Sequence, residues 1–220
     1  MNTDLLAYYG ARAAEYEEIY TKAERQDDLL QAKGMLQEAF QGKEVFEIAC
    51  GTGYWTEVIA KTADTVYASD ANEAVLEIAR TKSYGPASAT FMQADIFELE
   101  QTHEYESLFG GFILSHIPLQ RLDAFLDVCI GQVMEGGSVV LMDNRFVEGS
   151  NTPIAFRDDV GNTYQQRPLK DGSQHSVLKN FPEEDFLLAK LQGRGRDIEL
   201  IELEFFWILR FRTPERPPAL

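Results

Sequence analysis

Two acidic side chains and a pair of glycines set the chemistry this chain can do. Val45-Phe46-Glu47-Ile48-Ala49-Cys50-Gly51-Thr52-Gly53-Tyr54-Trp55-Thr56 runs from an apolar stretch, through a turn with two glycines, into a helical pattern. Such a strand–glycine turn–helix unit lets a backbone come close to a nucleotide-like cofactor, because a Cβ would strike the ligand or forbid positive φ. Asp70 ends the next predicted strand, about 20 residues on, where a carboxylate accepts hydrogen bonds from both ribose hydroxyls. The other reading of Asp70 is a helix N-cap. Phe91-Met92-Gln93-Ala94-Asp95-Ile96 ends the third strand in the same manner. Asp95 suits the exocyclic amine of adenine, and Ile96 suits packing on the ring. Gly51-Thr52-Gly53-Tyr54-Trp55-Thr56 lacks the third glycine of Gly-x-Gly-x-x-Gly, which points away from dinucleotides.

A second group of residues lies further along. His116 follows a predicted strand and precedes a helix, as a substrate hydrogen-bond donor or general base would, or as a loop histidine bonded to backbone would. Arg167 and Lys179 fall on opposite strands of a predicted hairpin around Asp171-Gly172, near each other across the ladder. There they would offer a fork and a point charge to an anion, or form a solvated edge. Tyr8, Arg12 and Tyr16 share a helical stripe, with Tyr20 a candidate on the substrate side. Trp55 either meets the cofactor through its backbone or caps the core. Cys50 reads as a small turn residue. Asp143 and Asn144 end the fifth strand without further carboxylates nearby in the pattern, so no metal is expected.

These residues need a frame, and the pattern supplies one. Helices are predicted over 4–20, with Tyr9, Ala13, Tyr16 and Tyr20 on one face, and over 27–40. Strands 44–49, 65–69, 88–93, 105–110 and 137–142 then alternate with helices 54–62, 72–82 and 118–131, with Pro118 in the first turn of the last. Alternation of this kind implies a parallel sheet with helices on both faces. Residues 147–159 read as irregular. Strands 163–168 and 174–180 form the hairpin, a helix covers 182–192, and strands 197–203 and 205–212 pair antiparallel. The expected fold is α/β: a Rossmann-like, seven-stranded, mostly parallel sheet with an N-terminal helical cap and a β-hairpin insertion. One domain is expected over 1–220, divided into N-terminal helices (1–41), a cofactor-binding core (43–143), the hairpin insertion (147–181) and a C-terminal helix with antiparallel strands (182–212).

Composition narrows the partners. The 220 residues carry 36 acids and 20 bases, a net charge of −16. That argues against a nucleic-acid partner, whose phosphates need Lys and Arg. No apolar run reaches the ~18 residues of a membrane span, so no membrane partner is expected. The N-terminus lacks signal-peptide features, and two cysteines, Cys50 and Cys129, suit a reducing cytoplasm. Acidity leaves the oligomeric state open.

Taken together, the motifs resemble the class I S-adenosylmethionine-dependent methyltransferases over about residues 8–212. Their acidic-x-Gly-x-Gly-x-Gly motif matches Glu47-Ile48-Ala49-Cys50-Gly51-Thr52-Gly53, with Ala49 in place of the first glycine, a mild departure because alanine keeps the turn small. The resemblance implies S-adenosyl-L-methionine as cofactor. It implies contacts from Glu47, Ala49, Cys50, Gly51, Gly53 and Trp55 at the turn, from Asp70 and Ala71 at the ribose, and from Asp95 and Ile96 at the adenine. It also implies Gly111 after the fourth strand and Tyr8, Arg12 and Tyr16 from the N-terminal helix, with Arg12 on the cofactor's carboxylate. Tyr8-Tyr9-x-x-Arg12, Leu114-Ser115-His116-Ile117-Pro118 and the Leu169-x-Asp171-Gly172 hairpin resemble, more narrowly, small phosphonate O-methyltransferases of the dehydrophos type. Tyr20, His116, Arg167 and Lys179 would then bind the substrate, with the last three as the catalytic set. The expected activity is methyl transfer to a small molecule, an anionic oxygen acceptor such as a phosphonate or carboxylate. The alternatives are an NAD-dependent oxidoreductase and a non-catalytic adenosyl-binding protein.

Overall fold

The computed structural model describes residues 8–169 and 171–215. Among the described residues ten strands are present: β1 (Glu44–Ile48), β2 (Thr65–Asp70), β3 (Ser88–Gln93), β4 (Tyr105–Gly111), β5 (Val133–Asn144), β6 (Phe156–Arg157), β7 (Thr163–Pro168), β8 (Gln174–Leu178), β9 (Arg196–Glu202) and β10 (Phe206–Arg212). The helices are α1 (Gln26–Ala39), α2 (Tyr54–Ile59), α3 (Glu73–Ala79), α4 (Leu122–Gln132) and α5 (Glu184–Leu191). The main sheet has the order β3-β2-β1-β4-β5-β10-β9, and a second sheet has the order β6-β7-β8. β1 to β5 run parallel, joined to the antiparallel pair β10 and β9. This is the expected Rossmann-like arrangement.

Side-chain alternation along each central strand feeds two cores. Val45, Val140, Met142, Phe206 and Ile208 face one side, where Leu29, Ala32 and Leu36 of α1 and Phe40 just beyond it cover them. Phe46, Ile48, Val139, Leu141 and Leu209 face the other, against Leu122, Phe125, Leu126 and Cys129 of α4 and Leu187 and Leu191 of α5. A one-residue slip would exchange the two faces, so the period of two fixes the register of the strand ends that build the site.

Four details differ from expectation. The N-terminal helix is interrupted: a helical turn at 8–11 gives way at Arg12 to a 3-10 helix, Ala13–Thr21, and residues 4–7 lie outside the described residues. Its tyrosines are anchored on the glycine turn and the helix after it, Tyr20 to Trp55 and Tyr16 against Gly51, and the longer rise of a 3-10 helix lets the chain span those anchors. Pro118 precedes a short 3-10 turn, Leu119–Arg121, and α4 starts only at Leu122. The stretch 147–159 contains the short strand β6, paired with β7. In the hairpin Arg167 is opposite His175, and Lys179 is level with Thr163, whose carbonyl accepts the Lys179 N–H at 2.8 Å. The two bases are therefore not cross-strand neighbours, because the loop is centred on Asp171 and carries Lys179 past the end of the ladder.

The glycine turn itself holds a strained residue. Ala49 has φ 52°, beside Gly51 at 56° and Gly53 at 81°. Alanine keeps the turn small, but its Cβ disfavours this region by roughly 1–2 kcal/mol, against about 0.4–1 kcal/mol that a glycine loses through the freer unfolded chain. Ala49→Gly is expected to stabilise the fold by about 0.5–1 kcal/mol and raise the melting midpoint by about 2 °C. A lower midpoint in scanning calorimetry would show that the turn is not strained.

Candidate active site

The carboxyl ends of β1, β2 and β4 open onto a narrow slot of about 50 Å³ lined by Ala49, Gly51, Asp70, Asn72, Val75 and Gly111, with Tyr9, Tyr16, Phe112 and His116 closing it. Asp70 organises the slot. Its Oδ2 accepts the Gly51 N–H at 2.9 Å and its Oδ1 accepts the Asn72 N–H at 2.8 Å. Each oxygen keeps a lone pair for a ligand hydroxyl, while Asn72, not Asp70, caps α3 by accepting from the Ala74 N–H at 3.0 Å. A Cβ on Gly53 would strike the Tyr84 hydroxyl, and one on Gly51 would lie 3.4 Å from the Tyr16 ring. The backbone freedom, the small residues and the ribose-type carboxylate fit an adenosyl cofactor.

Beyond Tyr9, Tyr16, Phe112 and His116 lies a chamber of about 420 Å³. Arg12, Lys22, Arg25, Arg167 and Lys179 line it, with Glu15 the one carboxylate among its described lining residues. The four shared residues thus form a wall between slot and chamber. Within that wall His116 Nδ1 donates to the Leu178 carbonyl at 2.6 Å, which fixes the tautomer and leaves Nε2 to accept from the Tyr9 hydroxyl at 2.8 Å. Burial, with help from Lys179 and Arg167, holds His116 well below the ordinary histidine range, so it is neutral. The Tyr9 oxygen accepts in turn from Arg167 Nη1 at 3.3 Å. Arg167 places Nε and Nη2 on Gln165 Oε1 at 3.1 and 2.6 Å.

Lys179 is held differently. Its ammonium bonds Asp143 Oδ1 at 2.9 Å and Ser115 Oγ at 2.6 Å, both buried. Burial opposes the charge on Asp143, yet Lys179 and the N–H groups of Ser115 and Asn144 keep its carboxyl below the usual range.

The other candidates take varied positions. Arg12 donates to the Tyr8 hydroxyl at 3.1 Å and lines the chamber, not the slot. Tyr8 is buried beside Val177. Tyr16 lines both cavities, and burial raises its phenol. Tyr20 accepts from Trp55 Nε1 at 3.1 Å and stacks on Tyr54 at 3.9 Å, which sets Trp55 into the core beside Phe109 and Phe112. Burial pushes the Cys50 thiol up, so it is no nucleophile. Ala71 links Asp70 to Asn72. Asp95 follows β3, next along the sheet edge from Asp70, and accepts from the Phe97 N–H at 3.0 Å. Ile96 is buried in the core. Neither lines the slot as it stands. Tyr9, Phe112, Arg25 and Gln165 were missed by sequence reasoning. Tyr9 was legible, since it shares the stripe of Tyr16. Phe112, with φ 60°, is a strained bulky residue that no pattern announces.

Comparisons with known proteins agree with this fold. Residues 45–137 match the family model described as "Methyltransferase domain". A solved structure described as "DhpI-SAH complex structure" is 27% identical, with a TM-score of 0.78 and 97% of each chain covered. The "DhpI-SAM-HEP complex" is 26% identical, with a TM-score of 0.76, covering 97% of this chain and 100% of that one. Phosphoethanolamine N-methyltransferase 1 of Zea mays is 24% identical over 149 residues, 66% of this chain and 28% of the relative. A phosphoethanolamine N-methyltransferase of Triticum aestivum is 24% identical over 163 residues, 70% of this chain and 32% of the relative. The chain thus spans about a third or less of these curated relatives. Over residues 45–137 the chain carries a methyltransferase domain, and its fold is that of the S-adenosylmethionine-dependent methyltransferases among its structural neighbours. The oxidoreductase and non-catalytic alternatives gain no support. Among the described residues no helix is long and apolar enough to cross a membrane.

Glu47 of the turn motif lies beneath the slot, not in it. It is buried, and Thr56 Oγ1 donates to its Oε2 at 2.6 Å. Burial pushes its carboxyl up to about 8 from an ordinary 4.5. The folded state therefore holds one more proton than the unfolded chain between those values, and the stability this group contributes is full below about pH 4.5 and falls as pH rises towards 8. Glu47→Gln is expected to match the parent near pH 5 and exceed it at pH 8 by on the order of 2–4 kcal/mol. Denaturant titrations at the two pH values check this; equal gaps at both would remove the buried neutral carboxyl.

Proposed function

We propose that the protein transfers the methyl group of S-adenosylmethionine to an oxygen of a small anionic acceptor, a phosphonate or carboxylate. The observation that carries this reading is the chamber behind the wall: five basic side chains and one acidic one, in a chain of net charge −16. A local concentration of cations against the global field is what an anionic small molecule requires. The resemblance of the Tyr8–Arg12 and Leu114–Pro118 segments to phosphonate O-methyltransferases supports the same class. Asp70 would hold the ribose, with Asp95 and Ile96 at the adenine and the turn from Ala49 to Gly53 against the remainder.

When bound, S-adenosylmethionine supplies a methyl group already activated by a sulfonium. The residues then have only to orient the acceptor and exclude water. An ionised acceptor oxygen forms the new C–O bond as the C–S bond breaks, and no proton has to move. Arg167 grips the anion, and Tyr9 and His116 form a neutral, fixed surface beside it. His116 serves as a positioning residue, because its Nε2 lone pair is engaged by Tyr9. Transfer to nitrogen, the chemistry in the names of the maize and wheat relatives, would need a base to take the proton of an ammonium. The bonds of His116 favour oxygen.

Two variants separate the roles of the bases. Arg167→Ala is expected to raise KM for an anionic acceptor about tenfold or more, the worth of a charge-assisted bond, with the affinity for S-adenosylhomocysteine little changed. An unchanged KM would sink the clamp. Lys179→Met is expected to act on stability first, costing about 3–5 kcal/mol because it leaves Asp143 buried and unpaired. A variant as stable as the parent in urea would assign Lys179 to the ligand instead.

A further inference from the structure

A buried cation that touches only neutral groups marks another part of the chamber. Arg25 is 7% exposed and lines the cavity. Its Nε and Nη2 donate to Ser150 Oγ at 3.1 and 2.9 Å, Nη2 also to the Ser150 carbonyl at 3.2 Å, and Nη1 to Asn144 Oδ1 at 3.3 Å. The rings of Phe205 and Phe206 lie 5.5 and 5.8 Å away. Among the described residues Arg25 forms no ion pair. The carboxylates that act on it from a distance are Glu24 and Asp28. Glu24 bonds the Ser150 hydroxyl at 3.0 Å, and Asp28 accepts the Phe205 N–H at 2.6 Å. One Nη1 hydrogen of Arg25 is left over. A charge taken out of water without a counter-charge is costly, and neutral oxygens and ring faces offset only part of that cost.

Arg167 stands in a similar condition at the wall, bonded to the neutral groups of Gln165, Tyr9 and Tyr8. One stretch of chain joins the two guanidiniums. Ser150 holds Arg25, while the carbonyl of Thr152 accepts from Gln165 Nε2 at 2.5 Å, and Gln165 Oε1 holds Arg167. Two residues of chain span about 7 Å at most. The chamber therefore presents two separate cations, Arg25 buried and Arg167 half-buried, each held by neutral partners.

We propose that the acceptor carries two anionic groups: the one that is methylated, beside Arg167, and a remote carboxylate seated on Arg25. The proposal rests on the reading of the chamber as the site of an anionic acceptor and narrows it. A carboxylate suits the second seat because it is small, planar and able to meet the remaining Nη1 hydrogen next to Phe206. Lys22, at the exposed rim on the Ser150 carbonyl at 2.5 Å, adds to the field there.

The test compares two acceptors of similar length, phosphonopropionate and propylphosphonate, with the full chain and S-adenosylmethionine. The parent is expected to use phosphonopropionate with a kcat/KM at least about tenfold higher, as a charge-assisted contact would give. Arg25→Gln is expected to bring that ratio near one, and Arg25→Lys to restore part of it. Because Arg25 also holds Ser150, the ratio within each variant is the readout, not its absolute rate. A second measurement needs no variant: calorimetric affinity of the two acceptors for the parent saturated with S-adenosylhomocysteine is expected to differ by the same factor. Equal kcat/KM and equal affinity, or a ratio that survives in Arg25→Gln, overturns the second seat and leaves the anionic acceptor standing. If a neutral phenol or amine is methylated and neither phosphonate binds, the anionic acceptor fails and the second seat fails with it.

Discussion

The ion pair between Lys179 and Asp143 holds the site together. Asp143 is near the carboxyl end of β5, in the parallel part of the sheet, and Lys179 comes from the strand end of the inserted hairpin. Ser115 lies between them, donating its N–H and hydroxyl to the same carboxylate at 2.8 and 2.9 Å. Neighbouring bonds extend the joint. His116 binds the Leu178 carbonyl, and Asn180 donates its N–H to the Ser115 carbonyl at 2.8 Å and its Nδ2 to the Ile117 carbonyl at 3.0 Å. Three consecutive hairpin residues are thus docked on three consecutive residues after β4. A buried pair of this kind contributes little net stability over an apolar substitute, but breaking it is severe. Its consequence here is geometric: it roofs the cleft with the hairpin and sets His116 and Arg167 at one wall.

That joint changes the roles that residue type alone suggested. A lysine and an arginine on one hairpin look like a pair of equals, and the structure separates them. Lys179 is committed to a carboxylate of the sheet, whereas Arg167 meets only neutral partners. His116 changes in the same way. Its position after β4 invites the reading of a general base, yet both ring nitrogens are bonded, one to a carbonyl and one to the Tyr9 hydroxyl.

The parallel core was legible because its signals are local. Strand β1, the glycine turn and α2 are written in one unbroken stretch, and Asp70 and Asp95 each end a predicted strand. The core-facing residues follow from a period of two. What sequence could not supply depends on contacts distant along the chain. Arg25 becomes a chamber residue only because the segment at Ser150 folds back on it, 125 residues away. The pairing of Arg167 with His175 hangs on the centre of a five-residue loop, where a shift of one position moves every partner. The positive φ of Ala49 is a middle case. The motif marks the position as one for glycine, so the strain could be inferred, but alanine's small size disguises it.

The electrostatics of the two cavities form one system. A sulfonium on one side of the wall and a cluster of guanidiniums on the other would repel each other, and a charged histidine between them would add to that. Burial and the nearby cations Lys179 and Arg167 depress His116 into its neutral form. The groups that would hold an anionic acceptor are therefore the same ones that keep the wall uncharged. Tyr9 completes the arrangement: its proton goes to His116 and its oxygen accepts from Arg167, so that face of Arg167 is screened without being neutralised. An acceptor entering as an anion would then meet the charges of Arg25 and Arg167 in the chamber and the uncharged Tyr9–His116 face between it and the slot. Arg167, bonded to Tyr9 at that face, would draw the oxyanion toward the cofactor side, and such prior orientation is where most of the available rate enhancement lies when the methyl group arrives already activated.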